Sequence, residues 1–343
     1  MSRSSSPAQF TPRRPVLHHI FKVALFVIGG LALATSLITS SEAQTFPNKP
    51  IKMVIGFPAG GPLDQHARLL STKLTDILGQ QILVDYKAGA GGAIGAETVA
   101  KAAPDGYTIL LANTGTMVIN GALYPKLSYN TLRDFVPIAR TAQQPLALLV
   151  HPSVPAKTIH EFVSYAKKNP GKLNYGSAGN GGISHLVPEM FKQAAGVFMV
   201  HIPYRGSAPA FTDLIAGQVQ FMAESIPQAA QYVKQGKVRA IAVTSAARNQ
   251  ALPDTPTAIE SGLKGFEVVG FYGFLAPAAT PKEIVTKLSE AFQKALDSPE
   301  IRERMISQGA DPAFLNSEKF GDFLKLETPR WEKVVKASGA KVD

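Results

Sequence analysis

The feature that most constrains the fold is a unit met three times: an apolar run, a glycine-rich break, then a helix start. Its first copy is MVIGFPAGGPLDQHARLL, Met53 to Leu70. Met53-Val54-Ile55 reads as a buried strand that stops at Gly56, Pro58 and the pair Gly60-Gly61. From Asp64 onward, Ala67, Leu70, Leu74, Ile77 and Leu78 recur at helical spacing. The other copies are KAGAGGAIG (Lys87–Gly95) and GSAGNGGISH (Gly176–His185). Strands that feed helices through short glycine loops predict an α/β architecture.

Such loops suit anions. Glycine lets backbone N–H groups approach a ligand, and the first helical turn leaves those donors unpaired at the positive end of the helix dipole. Carboxylates and phosphates are the natural guests. A P-loop needs Lys followed by Ser or Thr after its last glycine, and none is present. GAGGAIG has glycines at 89, 91, 92 and 95, one residue off the dinucleotide spacing, and Tyr175 breaks G-x-S-x-G around Ser177. The spacing predicts no cofactor.

Three side-chain readings stay open. Ser177, His185 and an acid such as Asp213 could form a hydrolase triad, although Ser177 lacks the sharp nucleophile turn. His185 and Glu189 stand four apart and could share a metal, provided Pro188 lies in the first helical turn; no third ligand is evident. Asp64 reads both as a helix N-cap and as an acceptor for a ligand hydroxyl, amine or protonated acid.

The alternation continues to the C-terminus. IKMVI, QQILVDY and YTILLAN read as strands, Gly79 as a helix C-cap, and Ile94, Val99 and Ala102 as the stripe of a helix that stops before Pro104. FVPIARTAQQPLALLVHP, from Phe135, is a long extended run, and FEVVGFYGFLAPAATP is a second. Both read as crossings between two lobes. The expected division is residues 44–144 with 272–343 as one lobe and 145–271 as the other. Ile159 to Lys168 and KEIVTKLSEAFQKAL read as helices, and the whole region from Pro281 as helical, with Trp331 packing a late helix onto the first lobe. Clefts between lobes favour ligand sites.

The N-terminus has its own logic. Arg3, Arg13, Arg14 and Lys22 precede the apolar VALFVIGGLALA, and Ser41-Glu42-Ala43 offers small residues for cleavage after Ala43. Residues 1–43 are therefore expected to be a signal peptide; the apolar core is short of the ~20 residues of a membrane span. Arg13-Arg14 leaves the choice of export route open. With no cysteine, the chain has neither disulfides nor a lipidated N-terminal cysteine. The formal charge of +10 is dispersed, without a basic block, which argues for steering of small anions and against nucleic acid.

FPAGGPLDQHAR, GAGGAIGAETVAKAAPDGYT, YGSAGNGGISHL, VHIPYRGSAPAFTDLIAGQVQ and FYGFLAPAATP, in this order, resemble the Bug family, the periplasmic substrate-binding proteins of tripartite tricarboxylate transporters. The resemblance covers essentially the whole mature chain. It implies a two-lobed flytrap, without catalysis, closing as a monomer on a small mono- or dicarboxylate and serving a membrane transporter or a sensor kinase. Carried onto this chain, the carboxylate loops are Phe57, Ala59, Gly60 and Asp64 on one side, and Ser177, Ala178, Gly179, Asn180 and His185 on the other. Expected selectivity residues are Asn113, Thr114, Tyr204, Ser207 and Glu224 with Ser225, and Arg205 is the cation nearest to them in sequence for a second carboxylate. Leu63 stands where the family commonly has a small hydroxyl residue, and Gly270-Phe271-Tyr272 where many relatives have Ser-Trp-Tyr. Both departures suggest more apolar walls, with Phe271 among them, and a less polar acid, aromatic acids included.

Overall fold

In a computed structural model of the chain, the structure describes Met1 and residues 46–204 and 206–341. The expected signal peptide and Arg205 lie outside the described residues.

β1 (Ile51–Ile55) is buried except at Lys52, as expected of a strand covered on both faces. It runs parallel to β2 (Ile82–Tyr86) and β3 (Thr108–Asn113), in register Ile51↔Ile82 and Lys52↔Thr108. Between β1 and β2, α1 (Pro62–Leu78) buries Leu63, Ala67, Leu70 and Leu74 and ends at Gly79, whose φ of 68° supplies the left-handed cap. α2 (Ala93–Ala100) links β2 to β3. Val99 faces the core, but Ile94, assigned to the same stripe from sequence, is 47% exposed.

β4 (Phe135–Val150) organises the sheet. From Phe135 to Pro145 it pairs antiparallel with β9 (Val269–Pro277); from Leu146 to Val150 it pairs with β7 (Phe221–Ser225), and it also pairs there with β8 (Arg239–Val243). Pro145 has no N–H to give a ladder, which suits a change of partner. β5 (Asn174–Ser177) pairs in parallel with β7 and with β6 (Val200–Pro203), so the strand order is β2-β1-β3-β9-β4-β7-β5-β6.

The remaining helices cover this sheet. A π-helical turn at Gly115–Ile119 runs into the short α3 (Asn120–Leu123), and α4 (Thr131–Asp134) precedes β4. α5 (Ile159–Lys168) starts at Thr158, whose hydroxyl accepts the Glu161 N–H at 3.2 Å. α6 (Ile183–Ala195) follows β5, α7 (Ser207–Ile215) follows β6 and α8 (Ile226–Lys234) follows β7. α9 (Lys282–Leu296) buries Val285, Leu288, Phe292 and Leu296 beside α1.

The C-terminal region is not helical throughout. β10 (Asp311–Leu315) lies between α10 (Pro299–Ser307) and α11 (Ser317–Ser338) and pairs with β4 across a register shift that begins at Pro312. Trp331 on α11 is buried in a cluster that includes Met117 from the π turn and Leu186 and Phe191 from α6. Its indole N–H donates to Glu327 Oε2 at 2.9 Å.

Candidate functional site

Where β1, β3 and β5 end, their following loops meet the β4–β9 crossing around a cavity of about 220 Å³. Phe57 enters after β1, Gly91 before α2, and Asn113, Thr114 and Gly115 after β3. Leu123 and Tyr124 come from α3 and the residue after it, Gln144 and Gly270 from the paired crossings. The opposite wall is Asn180 to Ile183, which leads into α6.

Among the described residues, no Lys, Arg, His, Asp or Glu lines this cavity. Its positive character comes from the backbone: α6 starts at Gly182 without a side-chain cap, and Gly182 and Ile183 are both in the wall. That presents the free N–H groups and the positive dipole end of a 13-residue helix. Side-chain amides add polar partners. Asn113 Oδ1 accepts the Thr116 N–H at 3.0 Å and its hydroxyl at 3.1 Å, which leaves the Asn113 NH2 group for other acceptors. Asn120 donates to the Gly91 carbonyl at 3.0 Å and so fixes the second glycine loop. Phe57, Leu123 and Ile183 supply apolar wall. An uncharged cavity with a helix start at one side can hold an organic anion whose remainder is apolar.

The first loop contributes less than its sequence suggests. Phe57 reaches the cavity, whereas Ala59 and Gly60 are exposed and outside its lining. Asp64 is not the N-cap: α1 begins two residues earlier, at Pro62, with Gly61 as cap. Its carboxylate is 4% exposed and accepts from the Gly60 N–H at 2.8 Å, the Tyr86 hydroxyl at 2.6 Å and Arg68 Nε at 2.8 Å. Burial pushes its pKa up, but hydrogen bonds from Tyr86, Gly60 and Arg68 outweigh this and hold it below the usual carboxylate value. Asp64 thus shapes the loop from behind. Leu63 packs in the core under β1, so its lack of a hydroxyl does not alter the cavity wall.

The facing loop is held from beneath. Ser177 is 0% exposed. Its hydroxyl pairs not with His185 but with His201 Nε2, at 2.6 Å, and accepts the Gly179 N–H at 3.2 Å. His185 Nδ1 accepts the Gly181 N–H at 3.0 Å. Tyr204, at the end of β6, hands its hydroxyl to Asp213 at 2.7 Å, which removes Asp213 from any triad. A buried serine without access to solvent, bonded to a different histidine, is not a poised nucleophile. The shared-metal reading fails likewise. Pro188 lies in the second turn of α6, beyond the first-turn position expected for it, and Glu189 is engaged by the Tyr175 hydroxyl and by Lys192 Nζ at 2.7 Å. Of this loop, Asn180 lines the cavity, and Ser177, Ala178, Gly179 and His185 are not among its lining residues.

The far-side candidates divide as well. Asn113 and Thr114 line the cavity, although the Thr114 hydroxyl accepts the Phe271 N–H at 2.8 Å. Ser207 donates to Glu224 Oε2 at 2.6 Å, and Glu224 Oε1 accepts the Ser225 N–H at 2.9 Å. Burial pushes the Glu224 carboxyl above its ordinary value, against the pull of those two serines. Burial and the Asp213 partner push Tyr204 up to about 12. Tyr204, Ser207 and Glu224 are not among the lining residues. Phe271 is also displaced from its expected role. Alternation along β9 turns its ring onto Phe320 and Phe323 of α11, at 5.6 and 5.3 Å, and presents Gly270 to the cavity.

Sequence reasoning missed Gly91, Asn120, Leu123, Tyr124, Gln144 and Gly270, and did not single out Gly115, Gly181, Gly182 or Ile183. Gly91 sits in a loop already marked by its glycines. Nothing local distinguishes Leu123 or Gln144, which matter only through what the fold places opposite them.

The sequence profile described as "Tripartite tricarboxylate transporter family receptor" matches residues 66–340. A Pseudomonas sp. (strain P51) protein, described as "UPF0065 protein in tcbD-tcbE intergenic region", is 40% identical over 312 residues, 90% of this chain and 93% of its own. The structure of the periplasmic binding protein BugD is similar at a TM-score of 0.71 and 40% identity, covering 86% of this chain and 99% of that one. That of R. palustris Rpa4515 with adipate gives 0.75 and 33%, covering 86% and 99%. The described chain shares the two-lobed α/β fold of these binding proteins. It belongs to the family of tripartite tricarboxylate transporter receptors, which includes the Bug proteins.

Proposed function

We propose that the protein is exported to the periplasm and captures a small carboxylate in the cavity between its lobes, for delivery to a tripartite transporter. The lobes are residues 44–144 with 272–343, and residues 145–271. The observation that carries this reading is a cavity whose described lining is uncharged, with the start of α6 in its wall. An anion is favoured there by N–H groups and dipole, and a cation finds no counter-charge among the lining residues. The adipate in Rpa4515 supports a dicarboxylate of that length as one candidate. Phe57, Leu123 and Ile183 equally support an acid with an apolar or aromatic body. The ligand selects the closed form by touching both walls, and no bond is made or broken.

The test is a thermal-shift screen of the chain from Gln44 against aliphatic mono- and dicarboxylates, aromatic acids and amino acids. A ligand at a hundredfold excess over its Kd adds about 2.7 kcal/mol of stability. A shift confined to one group of acids, weakened tenfold or more by Asn180→Asp, supports the reading. Absence of any shift, in protein shown by mass spectrometry to carry no co-purified acid, overturns it.

A further inference from the structure

We propose that His201 and His185 act as an uncharged imidazole pair that sets the cavity loop 178–182, which makes His201 a positioning residue for ligand capture although it lies outside the cavity. The inference rests on the proposed function only for its ligand readout; the loop geometry stands apart from it.

The two rings are parallel, 4° apart in plane, with centroids at 3.9 Å. Tyr175 stacks on His201 at 4.8 Å. Each imidazole holds a different point of the loop. His201 acts through Ser177, whose hydroxyl takes the Gly179 N–H, while His185 takes the Gly181 N–H directly. Gly179 and Gly181 have φ of 141° and 74°, backbone states that glycine enters easily but does not enforce. The loop's shape therefore needs outside anchors, and these two rings supply them.

The anchors work in one protonation state. His185 Nδ1 accepts from an N–H, so its proton sits on Nε2 and the ring is neutral. A proton on Nδ1 would face the Gly181 N–H and break that bond. Two imidazolium rings face to face would also repel. The groups facing the pair are Tyr175 from β5 and Glu189 and Lys192 from α6. Glu189 favours a charged His185, but its Oε1 is already shared by the Tyr175 hydroxyl and Lys192. Burial lowers both histidines, His201 to about 3; Glu189 partly offsets this at His185, His185 adds to it at His201, and Lys192 adds to it at each. Gly181, the residue held by His185, is itself part of the cavity wall.

The test uses the mature chain in three forms. His201→Phe keeps a stacked ring without the bond to Ser177, and His201→Gln keeps a polar atom near the Nε2 position without an imidazole. In the wild type, ¹⁵N shifts of His185 should report the Nε2–H tautomer, and Gly181 amide protection should be lost in step with His185 protonation, before the sheet amides exchange. In His201→Phe, the Gly179 and Gly181 amides should exchange at least tenfold faster at neutral pH, with His201→Gln within threefold of the wild type. Adipate and benzoate, used as probes at pH 7.5, should bind His201→Phe at least tenfold more weakly than His201→Gln. An Nδ1–H tautomer at His185, or loop exchange unchanged in His201→Phe, overturns the proposal. If the loop behaves as described and no carboxylate binds any form, the proposed function fails and only the setting of the loop by the imidazole pair stands. If carboxylates bind all three forms equally, the positioning role fails alone.

Discussion

Gly181 and Leu123 meet across the cavity with no room between them: a Cβ placed on Gly181 would overlap both methyl carbons of Leu123. One residue belongs to the loop before α6 and the other to α3, so the contact joins the two walls around the ligand space. Gly181→Ala should therefore force the Leu123 side chain to shift. It also puts alanine at φ 74°, a cost of about 1–2 kcal/mol. Ligand affinity should fall at least tenfold, and Leu123→Ala in the same chain should restore part of it by making space. Calorimetric titration of the two variants with the best acid from the screen decides this. Equal affinities in the single and double variants would remove the steric explanation.

Behind the first loop, Asp64 takes three donors while almost fully buried. Asp64→Asn turns one acceptor oxygen into a donor amid donors, and a buried mismatch of this kind costs about 1–3 kcal/mol. Tyr86→Phe removes one donor and should cost about 1 kcal/mol. The bond to exposed Arg68 adds little, because solvent screens it. Urea unfolding at pH 7 should find Asp64→Asn the least stable, Tyr86→Phe intermediate and Arg68→Ala closest to the wild type.

The glycines of the second loop were legible as an anion-binding motif, yet two of them serve packing. A Cβ on Gly95 would lie 2.7 Å from Gly56 Cα, and one on Gly56 would lie 2.5 Å from Gly92 Cα. Backbone thus touches backbone where β1 meets the start of α2. On helix propensity alone, Gly95→Ala should stabilise by about 1 kcal/mol. The obstruction is main chain that cannot rotate away, and overpacking of this kind costs about 1–3 kcal/mol. Net destabilisation in urea is the expected outcome, and a more stable Gly95→Ala protein would show that β1 and α2 can move apart freely.

What the sequence made readable follows the range of the forces involved. Apolar periodicity and caps are local, so α5, α9 and the Gly79 cap lie where the pattern places them. The long run from Phe135 is a single 16-residue strand. β10 was hidden because its pairing with β4 is long-range and Pro312 interrupts its pattern. The site shows the same division. Phe57, Asn113, Thr114 and Asn180 lie at loop positions next to strand ends and line the cavity. Ser177, His185, Tyr204 and Glu224 have the same polar chemistry, but the fold gives each a protein partner that only three dimensions reveal. Phe271 was misplaced by one step of strand alternation, enough to turn its ring from cavity to core.

His66 sets a pH dependence unconnected with the ligand. It is 1% exposed on α1, with Nε2 and the Thr141 hydroxyl 2.8 Å apart. Its Nδ1 has no hydrogen-bond partner among the described residues. The ring lies against Tyr272 and Phe274, at 5.0 and 6.3 Å, so an imidazolium there would lack both water and counter-charge. Burial alone lowers its pKa to about 3. Between pH 6.5 and 3 the unfolded chain binds a proton at this residue that the folded chain does not, so acid favours unfolding. The stability attached to His66 is complete above pH 6.5 and is lost on acidification, by up to about 1.4 kcal/mol per pH unit. His66→Gln keeps a group able to bond Thr141 and does not titrate. Urea unfolding from pH 7.5 to 4.5 should show a shallower fall for this variant, by about 2–3 kcal/mol over the two units below 6.5. The other histidines contribute equally to both proteins and cancel in the difference. Parallel curves would mean that His66 is protonated in the folded state, with a counter-charge or water reaching Nδ1.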